Sequence, residues 1–215
     1  MRNLIIGAVA LIALAFGAYY IIAGSSQVAP VTSETVSSDP SDPAAPNTGT
    51  GPTLEITVAG QANGTIVIEL FDDVAPQHVE RITTLARSGA YDGVVFHRVI
   101  NGFMAQTGDV EFGQSGGDTA KAGRGGSDMP DLAAEFSDRS FGRGVVGMAR
   151  SNSPDSANSQ FFIMFAPAPH LDGQYTIVGQ VTSGLDVLDS IKMGAGNSGA
   201  VQGEPDVMQS VTVKQ

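Results

Sequence analysis

Phe96-His97-Arg98-Val99-Ile100-Asn101-Gly102-Phe103-Met104-Ala105-Gln106-Thr107-Gly108-Asp109 is the stretch on which the fold of this chain turns. Two short runs rich in apolar residues flank an Asn-Gly pair, the pattern of two strands joined by a tight turn. Alternation places Phe96, Arg98 and Ile100 on one face of the first strand. An arginine between two large apolar side chains is costly there unless it has a partner or a task. Beyond the turn come Phe103, Met104 and Gln106: an aromatic, a soft gap-filler and a neutral amide. His97 falls on the opposite face from Arg98, where a hydrogen-bonded core role is expected.

Outward from this hairpin, Leu54–Val58 and Thr65–Leu70 are β-branched runs broken by Gly60 and Gly64, and read as a second hairpin. Pro76 opens a helix in which Val79, Ile82 and Leu85 or Ala86 keep helical spacing, with Gly89 as its stop. Strands are expected at Val94–Ile100, Phe103–Thr107, Val145–Ala149, Phe161–Phe165, Ile177–Val181 and Ser210–Lys214, and a second helix near Leu185–Lys192. Together these are eight strands and two helices in a glycine-rich body. Such a count predicts a mainly β domain, a closed eight-stranded antiparallel barrel without free sheet edges. Helices alternating regularly with strands, the mark of a parallel α/β sheet, are missing.

Two later stretches supply the other parts of a site. Ser159-Gln160-Phe161-Phe162-Ile163-Met164 brings a second amide beside alternating aromatics, and Pro169-His170-Leu171-Asp172-Gly173 an apolar and aromatic edge. Combined with the first hairpin they predict a shallow apolar pocket holding one fixed cation and two amides.

The blocks Phe96–Asp109, Ser159–Ile163 and Leu171-Asp172-Gly173 resemble the cyclophilin family of peptidyl-prolyl cis–trans isomerases, in the family's order and separation. The resemblance covers Leu54 to Gln215. It implies an eight-stranded barrel capped by two helices, an enzyme acting on proline-containing unfolded or partly folded polypeptides, and no cofactor or metal. It also implies Arg98 as the catalytic residue, with Gln106 beside it. Phe103, Met104, Phe162 and Leu171 match the family's proline pocket, and Gln106, Ala149 and Gln160 its peptide-contacting positions. Phe96, His170 and Tyr175 complete the expected substrate-binding set. The chain departs from the family pattern at Asn101 (commonly Pro), Thr107 (commonly Gly), Arg150-Ser151 (an amide-containing stretch), His170 (Trp in cyclosporin-sensitive members) and Tyr175 (His). The loss of the indole at His170 predicts weak cyclosporin binding.

The chemistry fits that assignment independently. Amide resonance opposes rotation by ~18–20 kcal/mol, and X–Pro bonds isomerise unaided over tens to hundreds of seconds. In the twisted state resonance is lost and the proline nitrogen regains a lone pair. A donor aimed at that nitrogen therefore helps only in the twisted state, which is what catalysis requires. Arg is always charged and rich in donors. The competing reading is a cyclophilin-like peptide-binding or holdase module of the cell envelope with incidental isomerase activity; retention of Arg98 with both amides favours the enzyme.

Composition excludes several other classes. The 215-residue chain has no cysteine, so disulfide frameworks, thiol nucleophiles and Cys-ligated metals are ruled out. Its formal net charge of −11 argues against nucleic-acid partners. Three histidines are too few for a His-rich metal site. No Gly-x-Ser-x-Gly elbow supports a hydrolase, no Gly-x-x-x-x-Gly-Lys a phosphate cradle, and Asp118, Asp128, Asp131 and Asp138 lack EF-hand spacing. These aspartates read as solvated surface.

The sequence divides at residues 23 and 53. Leu4 to Ala23 carries no charge and comes after Arg2; as a helix it measures about 30 Å, the thickness of a bilayer's hydrocarbon core. It reads as an uncleaved membrane anchor or a cleaved signal peptide. Either one exports the remainder of the chain, to the periplasmic side of an inner membrane in a bacterial setting. Residues 24–53 are rich in Pro, Ser and Thr and read as a disordered linker. Residues 54–215 form the isomerase-like domain, expected to be monomeric.

Overall fold

The computed structural model describes residues 51–215. The apolar run 4–23 and most of the 24–53 segment lie outside them. Within them secondary structure starts slightly earlier than the expected Leu54. Strand β1 (Thr53–Ala59) begins one residue before it, and the Pro52 carbonyl accepts a hydrogen bond from the Leu70 N–H at 2.9 Å.

In β1, Leu54, Ile56 and Val58 are buried; in β2 (Gly64–Leu70), Ile66, Ile68 and Leu70. The two strands pair antiparallel with Leu54 opposite Ile68 and Ile56 opposite Ile66, so each alternating set meets the other on the inner face. The remaining strands are β3 (Val94–Val95), β4 (Arg98–Ile100), β5 (Met104–Thr107), β6 (Val145–Met148), β7 (Phe161–Met164), β8 (Ile177–Ser183) and β9 (Val207–Lys214). All nine form one antiparallel sheet in the order β3-β9-β1-β2-β8-β6-β7-β5-β4.

The ends of that order are neighbours in the chain, separated only by Phe96 and His97. Laid flat, nine strands would hold their outer members nearly 40 Å apart at ~4.8 Å per step. Three residues span at most ~11 Å. The sheet therefore curls back on itself, and residues 94–100 supply both of its ends. This corrects the expectation of eight strands in a closed barrel: no ladder joins β3 to β4, because the expected strand 94–100 breaks at Phe96-His97 into two. Other segments cover the edges. The Val95 N–H donates to the Gly113 carbonyl at 2.8 Å. Val99 donates its N–H to the Gly199 carbonyl at 2.7 Å, and its own carbonyl accepts from the Gly194 N–H at 2.9 Å.

Helix α1 (Pro76–Arg87) packs on β9, with Val79, Ile82, Leu85 and Ala86 in the core; α2 (Leu185–Ser190) packs on β2. Proline at its first turn and Ala75 before it leave α1 without a local side-chain cap. A distant residue serves instead: Glu135 accepts from the N–H groups of Gln77 (3.2 Å) and His78 (3.1 Å) and from His78 Nδ1 (2.6 Å). Burial alone would raise the Glu135 carboxyl, but the His78 side chain and these N–H groups outweigh it and hold it below the usual carboxylate range.

The sheet is apolar on both faces around β7. Phe161 and Ile163 enter the main core inside the curl, while Phe162 and Met164 join a second cluster with Phe71, Met104, Phe141, Val145 and Leu171. Each such side chain removed from water is worth about 1.5–3 kcal/mol. The second cluster makes a rigid bed outside the curl, where the site lies.

Candidate functional site

One row of residues crosses the sheet: Arg98 on β4 lies opposite Gln106 on β5, Gln106 opposite Phe162 on β7, and Phe162 opposite Gly147 on β6. Antiparallel pairing puts their side chains on a common face. Gly147 serves this row through its size. A Cβ there would stand 2.6 Å from Phe141 and 2.7 Å from Phe162, so only glycine lets the two rings stack, at 5.7 Å between centroids.

Arg98 is half-buried. Its Nε donates to the Ser198 carbonyl at 3.0 Å and its Nη1 to Gln106 Oε1 at 3.2 Å. Gln106 Nε2 donates in turn to Gln160 Oε1 at 2.9 Å, and Gln160 Nε2 to the Gly125 carbonyl at 2.8 Å. This relay fixes the guanidinium between neutral acceptors, and no carboxylate among the described residues lies within ion-pair distance of it. Of its five N–H groups these bonds engage two, leaving the others for a ligand.

Beside the relay, Met104, Phe162 and Leu171 show only 2, 5 and 8% of their surface, the floor of an apolar hollow. Phe103 stands over it with its ring stacked on the exposed His170 at 5.7 Å, and Tyr175 meets Phe162 edge-on at 5.8 Å. Ala149 packs against the same cluster, and its N–H donates to the Gln160 carbonyl at 2.9 Å. The turn that aims Phe103 depends on Gly102 at φ +67°, a conformation open to glycine.

The structure thus gathers Arg98, Gln106, Gln160, Phe103, Met104, Ala149, Phe162, His170, Leu171 and Tyr175 on one face. It does not gather Phe96, which is 0% exposed in the main core and out of a ligand's reach. Strand alternation fails there because Phe96 and His97 belong to neither β3 nor β4, and Phe96 turns inward as Val99 does. His97 also departs from expectation: both its ring nitrogens are buried and make no hydrogen bond among the described residues, and burial pushes its pKa down. Asp118, Asp128, Asp131 and Asp138 are exposed. Among the described residues no cluster of His, Cys, Asp or Glu could hold a metal ion.

Several supporting groups carry no local signature. Fully buried Asp109 accepts four backbone N–H groups, from Glu111 (3.1 Å) and Phe112 (2.9 Å) on one oxygen and Gly123 (2.7 Å) and Gly125 (3.0 Å) on the other. This clasp accounts for two glycines of the segment that follows, Gly123 and Gly125. A Cβ on Gly125 would lie 2.5 Å from the Asp109 carboxylate, and Gly123 sits at φ +94°. It also holds the Gly125 carbonyl where Gln160 needs it. Behind Gln160, the Tyr91 hydroxyl donates to the Ser159 carbonyl at 2.7 Å; complete burial raises that phenol well above its usual range. Arg150 lies 4.3 Å above the Tyr175 ring and stiffens that wall.

Residues 53–213 match the family model for the cyclophilin type peptidyl-prolyl cis-trans isomerase/CLD. A Brucella suis protein named probable peptidyl-prolyl cis-trans isomerase is 57% identical over 155 residues, covering 71% of this chain and 79% of that protein. A Schizosaccharomyces pombe peptidyl-prolyl cis-trans isomerase is 42% identical over 130 residues, 58% of this chain and 76% of its own. Among solved structures, a cyclophilin from Hirschia baltica aligns with a TM-score of 0.60 at 27% identity, covering 74% of this chain and 73% of that one. A Cryptosporidium parvum cyclophilin aligns at 0.64 and 24% identity, over 76% of this chain and 97% of its own, and shares the fold.

Proposed function

We propose that this chain, which belongs to the cyclophilin-type peptidyl-prolyl cis–trans isomerase family, turns X–Pro bonds by donating from Arg98 to the proline nitrogen as the amide twists. The apolar hollow of Phe103, Met104, Phe162 and Leu171 receives the pyrrolidine ring, while Gln106 and Gln160 hold the flanking backbone. In the planar ground state the nitrogen lone pair is delocalised and offers the guanidinium nothing. At the twisted state it is localised, and the donation becomes worthwhile. No bond is made or broken, and no proton changes hands.

The observation that carries this reading is the posture of Arg98: pinned by the Ser198 carbonyl and Gln106 Oε1, free of any carboxylate among the described residues, and bordering an apolar floor. A preorganised donor of this kind is worth roughly 10²–10³ in rate. The test is X–Pro isomerisation followed by a protease-coupled assay. Residues 51–215, which keep Pro52 and Thr53 of the β1 edge, are expected to accelerate it, and Arg98→Ala to lose at least tenfold with its circular dichroism unchanged. Full activity in Arg98→Ala would refute the electrostatic role and favour a binding module whose apolar hollow alone matters.

Its clients are proposed to be proteins outside the cytoplasm, on the strength of the uncharged run Leu4–Ala23 behind Arg2. Slow X–Pro rotation would there limit folding. Fractionation of cells and N-terminal sequencing of the mature protein test this; a soluble cytoplasmic product with an intact N-terminus would refute it.

A further inference from the structure

A groove of about 460 Å³ adjoins the Arg98 site and shares Gln106, Ala149 and Gln160 with it. Its other walls are mainly glycine, serine and asparagine, joined by three charged side chains: Arg124, Arg150 and Asp131. Arg124 is exposed, and among the described residues its guanidinium has no hydrogen bond and no ion pair. Arg150 donates only to backbone carbonyls, those of Gln174, Ser151 and Asn152, which leave its charge uncompensated. Asp131 is the single carboxylate of the lining, and it accepts from Asn158 Nδ2 at 2.9 Å.

A third guanidinium stands behind the asparagine wall. Arg81 is 5% exposed and donates to the carbonyls of Asn158 (3.3 Å) and Pro130 (2.6 Å), again with no carboxylate in ion-pair range among the described residues. A buried charge is screened less than a solvated one, so its potential reaches the groove through Asn158. The equally buried Asp109 carboxylate, behind Gly123 and Gly125, offsets Arg81, so the positive excess at the groove is that of Arg124 and Arg150 over Asp131, on a chain whose formal net charge is −11.

We infer that the groove selects an acidic residue flanking the X–Pro bond, its carboxylate seated between Arg124 and Arg150. The inference rests on the Arg98 site being where the bond is turned, since the shared Gln106, Ala149 and Gln160 wall makes one continuous path for the peptide. The net negative charge of the chain opposes an anionic ligand at long range. At physiological salt that repulsion is screened beyond ~8 Å, whereas the groove's own charges act at contact. Exposed ion pairs are individually weak, and two of them amount to about three- to tenfold in specificity.

The experiment compares X–Pro peptides carrying Glu, Gln or Lys at each of the two positions before X and the two after Pro, in about 0.15 M salt. At one flank, kcat/KM is expected to fall in the order Glu, Gln, Lys, with Glu exceeding Gln about three- to tenfold. Raising the salt to about 1 M should narrow the spread, the Debye length shrinking to ~3 Å. Arg124→Glu, which removes no hydrogen bond, is expected to level or invert the order, and Arg150→Gln to narrow it further. Equal rates for Glu and Gln at every position would overturn the inference while leaving the Arg98 reading intact. So would a Glu preference that survives both substitutions together. Undiminished turnover of the Gln peptides by Arg98→Ala would instead overturn the reading beneath it.

Discussion

Replacing Asp109 by Asn changes one oxygen of a buried clasp into an NH2 group. The carboxylate accepts four backbone N–H groups, two on each oxygen, and is 0% exposed. An amide keeps one acceptor. Whichever way it is turned, two N–H groups lose their partner and face another donor. Each of these part-buried hydrogen bonds to a charged group is worth about 1.5–3 kcal/mol, so Asp109→Asn is expected to destabilise the domain by roughly 3–6 kcal/mol. Against a typical total of about 5–15 kcal/mol this is a large share. At about 2–4 °C per kcal/mol for a domain of this size, the melting temperature should drop on the order of 10 °C. Thermal and urea denaturation, followed by circular dichroism, measure the loss; an unchanged urea m-value would place it in the native state. Isomerase assays at 10 °C, where the variant remains folded, should show a several-fold fall in kcat/KM when the freed pair includes Gly125, whose carbonyl anchors Gln160. A melting temperature within 2 °C of the parent would refute the argument and mean that the glycine loop is held by something other than this carboxylate.

Other perturbations test separate joints of the structure. The depressed Glu135 carboxyl contributes stability that is complete above the ordinary value of ~4.3 and is lost as pH falls through its lower folded pKa. Unfolding free energy measured from pH 6 down to 2 should therefore decline below about pH 4 more steeply in the parent than in Glu135→Gln; parallel curves would refute the remote cap. Gly147→Ala drives a methyl into Phe141 and Phe162 and should cost about 1–3 kcal/mol, with KM raised because Phe162 floors the hollow. An unchanged melting temperature and KM in that variant would show that the rings yield freely. His170→Trp should strengthen cyclosporin inhibition by restoring an indole donor and its area beside Phe103; titration of isomerase activity reads this directly, and equal inhibition of parent and variant would refute it.

Local pattern carried the reading of this molecule a long way, and its failures share a cause. Alternating β-branched residues in Leu54–Val58 and Thr65–Leu70 announce β1 and β2, and Pro76 with its apolar spacing announces α1, because those signals lie within a few residues. Arg98, Gln106 and Gln160 were legible as a set, since a cation and two amides among aromatics make little sense as core. The break at Phe96-His97 was not, because a run of apolar residues looks continuous whether one strand or two is cut from it. Nor was the Ser198 carbonyl that steadies Arg98 from 100 residues away, or the Glu135 carboxylate that caps Gln77 from 58 residues away. Such partners are chosen by tertiary approach, and nothing in the neighbouring sequence marks them. Asp109 belongs with these cases: nothing in the glycine-rich sequence that follows it marks the carboxylate as the group that gathers that loop's N–H groups.

The last strand of the chain, β9, lies between β1 and β3 in the sheet. Until residues 207–214 have left the ribosome, the first strand and the β3 end of the hoop have no neighbour to join them, and the inner core stays open to water. A polypeptide wired this way depends for its inner core on pairing between strands distant in sequence, contacts that form late in folding.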